Sequence, residues 1–277
     1  MLRSCHTDQV WHVSVGRAPS EKPQARHDAI RAWCATAQPM SKISQSRPSA
    51  RIPKSSVQER EAGGSPASRS QMTGHHVTYA IVGFGAVGQA LARTFARKGM
   101  EVMVASTRPP EALAPLAREI GPTVVSTSLQ DALEGDIVLL AVPFPKHHEV
   151  AKSRPSWQGT IVVDVMNAYG VPVEELGGLP SSAAVARALP GARLVKGFNH
   201  LGAKTLGADP DVKGGRRVVF LSSDDEQAAA QVKALAEELG FAPIWLGKLA
   251  EGGALVQARG QTWAPLIFQD LVKFDNK

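Results

Sequence analysis

Cysteines and long hydrophobic runs are scarce in this chain, and their scarcity excludes several classes of protein. The 277 residues include two cysteines, Cys5 and Cys34, and both lie within the first 71 residues. The rest of the chain therefore has no internal disulfide, no thiol nucleophile and no cysteine-based metal site, which fits a reducing compartment. The longest apolar run, Ile137–Val142, is far shorter than the roughly 20 residues of a membrane-spanning helix. We therefore expect a cytoplasmic protein with no membrane partner.

The motifs of several enzyme classes are also missing. The chain has no GxSxG turn of a serine hydrolase, no Walker A lysine and no HExxH zinc motif. After Asn199, two expected strands and a helix occupy much of the remaining chain. We therefore do not expect the large helical domain of hydroxyacid and sugar-phosphate dehydrogenases.

Excess positive charge is confined to the N-terminal quarter. The chain has 31 Lys and Arg against 25 Asp and Glu, a formal net charge of +6. Residues 1–71 hold 11 basic and 5 acidic residues, whereas residues 72–277 hold 20 of each. A nucleic-acid-binding domain concentrates its basic residues on a folded surface. We therefore expect no nucleic-acid partner, with binding through the basic tail as the rival hypothesis.

Residues 1–71 are expected to form a disordered tail. They carry clustered Ser and Pro and no sustained apolar period of 2 or 3.6 residues, so they cannot bury enough apolar surface to offset the entropy of ordering. Our favoured interpretation is that translation starts at Met72 and that the domain is 72–277. A native disordered tail and an organellar targeting segment remain as alternatives, the second opposed by five acidic residues.

From Val77 onward, short apolar strands alternate with helices, which predicts parallel strand pairing. The expected strands are 77–82, 101–105, 123–126, 136–142, 160–165, 193–198, 216–222 and 242–246. The expected helices are 86–98, 110–120, 128–134, 181–188 and 224–239. The pattern predicts one compact α/β domain with a doubly wound, mainly parallel sheet of the Rossmann type. Residues 254–273 are expected to form a short apolar helical element that covers the core or makes a homodimer contact.

A glycine-rich turn follows the first expected strand and opens the first helix. Its sequence is Gly83-Phe84-Gly85-Ala86-Val87-Gly88, the GxGxxG pattern of dinucleotide-binding proteins in its usual strand–turn–helix context. In that pattern the first glycine allows the tight turn, the second admits a pyrophosphate, and the third lets the helix pack on the strand. The pattern predicts dinucleotide binding at the start of this helix.

The end of the second strand favours NADP(H) over NAD(H). An acidic residue there would hold the ribose hydroxyls of NAD, but this sequence has Ser106, Thr107 and Arg108 instead. Two hydroxyls and a guanidinium suit a ribose 2′-phosphate, which an acid would repel. We therefore predict that Arg108 selects NADP(H).

With these motifs the chain resembles the NADP oxidoreductases typified by NADPH-dependent reductases of the deazaflavin coenzyme F420. The pattern appears as IVGFGAVGQALARTFARKGMEVMVASTR at 81–108, DIVLLAVPF at 136–144, LPGARLVKGFNHLGAKTL at 189–206 and GFAPIWLGKLAEGG at 240–253. The stretch 195–203 is the most particular of these. The resemblance covers most of 72–277, and it extends to the cytosolic reductase portion of membrane ferric reductases.

The resemblance implies roles for individual residues. Gly83, Phe84, Gly85, Ala86 and Val87 would line the pyrophosphate, and Ser106, Thr107 and Arg108 would hold the 2′-phosphate. Ala141, Val142, Pro143 and Phe144 would border the adenosine and nicotinamide, and Asn167 and Asn199 would edge the nicotinamide pocket. The chain departs from the family at Met166 and His200, where relatives often carry threonine and a small hydroxyl residue. Both departures concern the acceptor pocket.

Other polar residues have weaker functional interpretations. His147-His148-Glu149 has the wrong geometry for a chelate on a helix and is expected at a solvated helix start. Asp164 is expected to cap a loop, although a shifted acid is an alternative. Lys196 is expected to be structural or solvent-facing, although help with proton transfer is an alternative. No catalytic residue stands out; His200 is the candidate general acid because its ordinary pKa lies near neutrality.

These features together predict an NADPH-dependent oxidoreductase. Hydride would pass between NADP(H) and a deazaflavin or flavin acceptor, a small-molecule partner. Such a transfer needs alignment of the two rings more than a protein acid. A non-catalytic NADP(H) sensor or scaffold is the alternative, because no acid–base residue is compelling.

Overall fold

The computed structural model describes residues 77–258 and 270–274. The expected tail with Met72, Cys5 and Cys34 lies outside the described residues. The same holds for 259–269, the middle of the expected C-terminal element.

The elements alternate as the sequence predicts. The strands are β1 (Tyr79–Val82), β2 (Val102–Ala105), β3 (Val124–Ser126), β4 (Ile137–Leu140), β5 (Ile161–Asp164), β6 (Arg193–Gly197), β7 (Asp211–Val212), β8 (Gly215–Ser223), β9 (Ala242–Trp245) and β10 (Val272–Lys273). The helices are α1 (Ala86–Arg97), α2 (Pro110–Ile120), α3 (Leu129–Leu133), α4 (His147–Ala151), α5 (Ser181–Ala188), α6 (Ala203–Gly207), α7 (Glu226–Glu238) and α8 (Ala254–Val256). Short 3₁₀ turns at Phe144–Lys146 and Val173–Leu176 and a π-helical turn at Leu249–Gly253 complete the elements. None of the described helices has the length and apolar character needed to cross a membrane.

Six strands form the parallel body of the sheet in the order β3-β2-β1-β4-β5-β6. Their pairings are all parallel, with Ile81 opposite Val104 on one side and Leu139 on the other. This is the order of a doubly wound dinucleotide-binding fold, and it confirms the predicted fold class. The order reverses between β1 and β4, so a crevice is expected at their carboxyl ends.

Beyond β6 the sheet departs from purely parallel pairing. β8 runs antiparallel to β6 and parallel to β9, and β10 is antiparallel to β8. The connection from β6 to β8 contains α6, which packs on α1. It does not form the helical crossover that joins two parallel strands, and β8 accordingly runs antiparallel to β6. Of the expected C-terminal helical element, Ala254–Val256 is helical, whereas Val272–Lys273 is a strand.

Helices cover both faces of the sheet. α1, α2 and α7 pack on one face, through side chains such as Phe95 and Val232, and α3, α4 and α5 pack on the other. Every residue of β4 and β5 is buried. This explains why these strands are apolar at nearly every position and why Asp164, at the end of β5, is exceptional.

Candidate functional site

The turn between β1 and α1 needs glycine at two positions. Gly83 has a φ of +104°, and a Cβ there would lie 2.5 Å from the carbonyl oxygen of Ala141. A Cβ on Gly88 would overlap the carbonyl oxygen of Gly83. The first glycine therefore allows the turn to pass close to the residue after β4, and the third allows α1 to pack against the turn.

Gly85 meets a different requirement, because it faces open space. A Cβ on Gly85 would have no atom within 4 Å. Gly85 is also the N-cap of α1, no side chain caps this end, and the first turn carries no acidic residue. The first helical hydrogen bond runs from the N–H of Gln89 to the oxygen of Gly85 at 2.9 Å, so the preceding N–H groups of α1 have no partner within the helix. This unobstructed helix start fits a pyrophosphate.

A cavity of about 560 Å³ opens beside this helix start. It lies at the carboxyl ends of β4, β5 and β6, where a doubly wound sheet binds its ligand. Nine predicted residues line it: Gly85, Ala86, Val87, Ala141, Val142, Pro143, Phe144, Asn167 and Asn199. The remaining lining residues are Pro145, Val165, Met166, Tyr169, Phe198, His200, Leu201, Gly202 and Ala203. The structure thus brings together residues from four separate loops, those after β1, β4, β5 and β6.

Three predicted residues of the glycine turn do not line this cavity. Gly83 and Gly88 shape the turn from behind. The side chain of Phe84 is buried in the hydrophobic core, and its carbonyl oxygen accepts a hydrogen bond of 3.2 Å from Gln89 Nε2. These three residues support the loop that faces the cavity.

The predicted 2′-phosphate residues follow β2, next to the glycine turn. β1 and β2 are paired, with Val82 opposite Ala105, so Ser106, Thr107 and Arg108 follow directly at the same sheet edge. The backbone N–H of Arg108 donates to Ser106 Oγ at 3.0 Å, which holds this turn. The Arg108 side chain is exposed, and no carboxylate within the described part of the chain forms an ion pair with it. Its guanidinium is thus available to an external anion.

Two asparagines at the ends of β5 and β6 bond to each other. Asn167 Nδ2 donates to the carbonyl oxygen of Asn199 at 2.7 Å, and Asn199 Nδ2 donates to Asn167 Oδ1 at 3.0 Å. Asn199 Nδ2 also donates to the carbonyl oxygen of Val256 at 2.8 Å. These reciprocal bonds join the two loops that form the far wall of the cavity.

With this geometry in place, comparison with known proteins decides the family. The family model described as NADP oxidoreductase, coenzyme F420-dependent, matches residues 78–168, which span β1 to the loop after β5. The chain belongs to this family. The structure named as an F420-dependent NADP reductase from Arthrobacter sp. FB24 is 26% identical, with a TM-score of 0.52, and the match covers 63% of this chain and 86% of that one.

Two other relatives extend the comparison. The protein SMa0349 from Sinorhizobium meliloti is 40% identical, with a TM-score of 0.67, and the match covers 72% of this chain and 96% of that one. The human metalloreductase STEAP2 is 32% identical over 178 residues, which is 63% of this chain and 34% of that protein. The chain therefore spans about a third of the length of this curated relative.

Burial removes the reason for choosing His200 as a general acid. His200 is 3% exposed, its Nε2 lies 3.2 Å from the carbonyl oxygen of Val218, and its ring lies 4.8 Å from that of Phe220. Since a carbonyl accepts, Nε2 carries the hydrogen. Burial lowers the pKa of His200 to about 4. The ring is therefore neutral near pH 7 and has no imidazolium proton to give.

Lys196 and Asp164 form a buried ion pair, which corrects the solvent-facing alternative for the lysine. Both side chains are fully buried, and Lys196 Nζ lies 3.1 Å from Asp164 Oδ2. Asp164 Oδ1 accepts the backbone N–H of Met166 at 3.0 Å, so the expected loop cap is present. Burial lowers the pKa of Lys196, and the carboxylate of Asp164 opposes this shift.

The prediction of a solvated helix start at 147–149 holds for His148 and Glu149, which are exposed, and is wrong for His147. His147 is fully buried, its Nδ1 bonds to the carbonyl oxygen of Phe144, and its ring packs against that of Phe144 at 4.8 Å. The 3₁₀ turn before α4 directs this side chain inward. Burial lowers the pKa of His147. The described residues contain no group of three His, Cys, Asp or Glu side chains that could hold a metal ion.

Sequence reasoning missed part of the cavity wall. Phe198 lies at a φ of +58°, is fully buried and contacts Phe241 edge-on at 5.8 Å between ring centroids. Tyr169 and Leu201–Ala203 also line the cavity. A usable signal existed, because these residues follow β5 and β6 at the sheet edge that holds Asn167 and Asn199.

Proposed function

We propose that this protein transfers hydride between NADPH and a deazaflavin or flavin acceptor, both bound at the cavity beside Gly85. The observation that carries the proposal is the make-up of this cavity. Its wall is largely apolar, and of the two titratable residues among the described lining residues, His200 is neutral near pH 7 because burial lowers its pKa, whereas Tyr169 is mostly exposed to solvent.

The chain offers separate binding positions for the pyrophosphate and for the 2′-phosphate of NADPH. The N–H groups at the start of α1 would hold the pyrophosphate, and Ser106, Thr107 and Arg108 would hold the 2′-phosphate. When bound, NADPH supplies the hydride. Asn167 and Asn199, whose side chains are mutually bonded, would form a rigid edge beside the nicotinamide. The loops after β1 and β2 would thus supply most of the binding energy for NADPH, and the loops after β5 and β6 would align its nicotinamide ring.

The described wall is poor in proton donors, which favours a heteroaromatic acceptor: Tyr169 is its one protonated titratable side chain near pH 7, and it is mostly exposed. Reduction of a ketone generates an alkoxide that must gain a proton, and a nearby acid would assist that step. Hydride transfer between stacked heteroaromatic rings depends on alignment and exclusion of water. The Arthrobacter relative is named for such an acceptor, coenzyme F420. The same wall suits FMN or FAD.

A spectroscopic screen tests the proposal. The full chain is mixed anaerobically with NADPH and, in separate reactions, with FMN, FAD and F420, while NADPH oxidation is followed at its absorbance band. We expect turnover with at least one of these acceptors. A Gly85→Val variant is the matched control, because its side chain would fill the space at the helix start and should abolish NADPH binding. Tight NADPH binding by the wild type without turnover on any acceptor would contradict the proposal and favour a sensor.

A further inference from the structure

The ion pair between β5 and β6 is unusual because both of its charges are completely buried. Asp164 and Lys196 are directly paired across the two strands, and each side chain has no exposed area. Removing two charges from water is costly, and an apolar pair of similar size would often stabilise the fold equally well. The remaining contacts of the two side chains are therefore informative.

Both side chains hold the backbone of a single residue, Met166. Lys196 Nζ donates to the carbonyl oxygen of Met166, and Asp164 Oδ1 accepts the N–H of Met166 at 3.0 Å. The pair thus occupies the donor and the acceptor of the same residue. This residue is the second one after β5, beyond the last backbone pairing of β5 with β6 at Asp164 and Lys196.

Met166 begins the segment that forms one wall of the cavity. Met166, Asn167 and Tyr169 all line the cavity, and the N–H of Tyr169 donates to the carbonyl oxygen of Asn167 at 2.8 Å. Asn167 then bonds to Asn199 on the loop after β6. A continuous series of hydrogen bonds therefore connects the buried charges to the cavity wall.

We propose that Lys196, together with Asp164, is a positioning residue that fixes the Met166–Tyr169 segment as the acceptor-side wall of the cavity. This proposal rests on the proposed hydride transfer. The segment follows β5, whereas the phosphate-holding turns follow β1 and β2, on the other side of β4. Loss of Lys196 should therefore disturb the alignment of the acceptor while leaving the binding of the NADPH phosphates unchanged.

The test uses a charge-balanced double variant, Asp164→Asn/Lys196→Met. It leaves no unpaired buried charge, and an asparagine oxygen can still accept the N–H of Met166, but the donor to the Met166 carbonyl is gone. The matched control is Arg193→Gln/Asp225→Asn. It removes the ion pair of 2.7 Å between Asp225 and Arg193 at the start of the same strand, and neither residue is among the described lining residues of the cavity.

Three measurements are made on the full chain: the Kd of NADPH, kcat and KM with FMN and F420, and amide hydrogen exchange. For the Asp164/Lys196 double variant we expect kcat/KM for the acceptor to fall about tenfold or more, with the NADPH Kd changed by less than about threefold. Exchange should rise in the peptide that contains Met166–Tyr169. The Arg193/Asp225 control variant should lose stability, but its kcat/KM for the acceptor should not fall and its exchange at Met166–Tyr169 should not rise.

The outcomes separate this proposal from the proposed function. If the wild type reduces none of FMN, FAD and F420, the proposed function fails, and faster exchange confined to Met166–Tyr169 would still support the positioning role. Unchanged exchange in that segment, or equal weakening of acceptor and NADPH binding, would overturn the positioning role. Adding Asn167→Ala to the double variant should cause little further loss, because both changes break the same series of bonds. A fully additive loss would also count against the proposal.

Discussion

The two ends of the cavity are built on different physical principles. At the β1–α1 turn, the requirement falls on the backbone: Gly83 and Gly88 allow close approach, and N–H groups face the open space beside Gly85. At the ends of β5 and β6, the requirement falls on side chains that are buried and bonded to one another. Asp164 pairs with Lys196, and Asn167 with Asn199, each across 32 positions of sequence.

This difference implies different responses to mutation. A backbone site depends on local sterics. A methyl group added towards the protein would disrupt the turn, and one added towards the open space would block the ligand. A buried polar network depends on every partner, because each unsatisfied member bears the full cost of its desolvation. The following changes test this contrast, beginning with the largest expected effect.

The largest effect is expected for Lys196→Met. It leaves the carboxylate of Asp164 fully buried and unpaired, and breaking such a pair costs about 3–5 kcal/mol. The free energy of unfolding from urea denaturation measures the loss. Asp164→Asn in the same chain should recover most of it. If the single variant is as stable as the wild type, the network at this end is dispensable and the contrast fails.

A pair of glycine substitutions should separate folding from binding at the other end. Gly88→Ala places a methyl group against the Gly83 carbonyl and should cost about 3 kcal/mol. Gly85→Ala meets no protein atom and should leave stability almost unchanged, but its methyl group would occupy space proposed for the pyrophosphate. Thermal unfolding and NADPH titration of both variants provide the comparison. Equal effects of the two substitutions on stability would contradict the assigned geometry.

Arg108→Ala should reduce NADPH affinity by about 2 kcal/mol, or about thirtyfold, because it removes charged hydrogen bonds to the 2′-phosphate. NADH affinity should change far less, since NADH lacks this phosphate. Dissociation constants for both nucleotides, measured at one fixed salt concentration, test the assignment. An equal loss for NADPH and NADH would refute it.

The smallest effect concerns pH and His200. Its folded pKa of about 4 lies below the ordinary value of 6.5, so the unfolded chain binds more protons as the pH falls below 6.5. His200 therefore contributes stability above that pH, and this contribution is lost as the pH falls towards 4. Between pH 6.5 and about pH 5.5, the wild type should lose about 1 kcal/mol more than His200→Gln. Parallel pH curves for the two proteins would exclude a buried neutral His200.

Sequence reasoning succeeded where the determinants are local. The apolar runs gave the strands of the parallel body, and Gly83 and Gly88 occupy the strained turn and the close contact expected of them. It failed for the burial of two histidines. His147 was expected to be solvated, and His200 was expected to titrate near neutrality. His200 packs against Val218 and Phe220 of β8, about 20 residues along the chain, whereas the contacts of His147 with Phe144 are local and depend on how the turn before α4 is directed.

The amino-acid sequence alone determined the fold class, the glycine turn and the residues available to a 2′-phosphate. It could do so because periodicity, backbone freedom and charge are properties of short segments. The tertiary structure decided the state of the buried polar residues. Lys196 could be solvent-facing or paired, and His200 charged or neutral, until the neighbouring strands were in place. Desolvation by those strands, together with the partner that each one supplies, fixes protonation and hydrogen bonding.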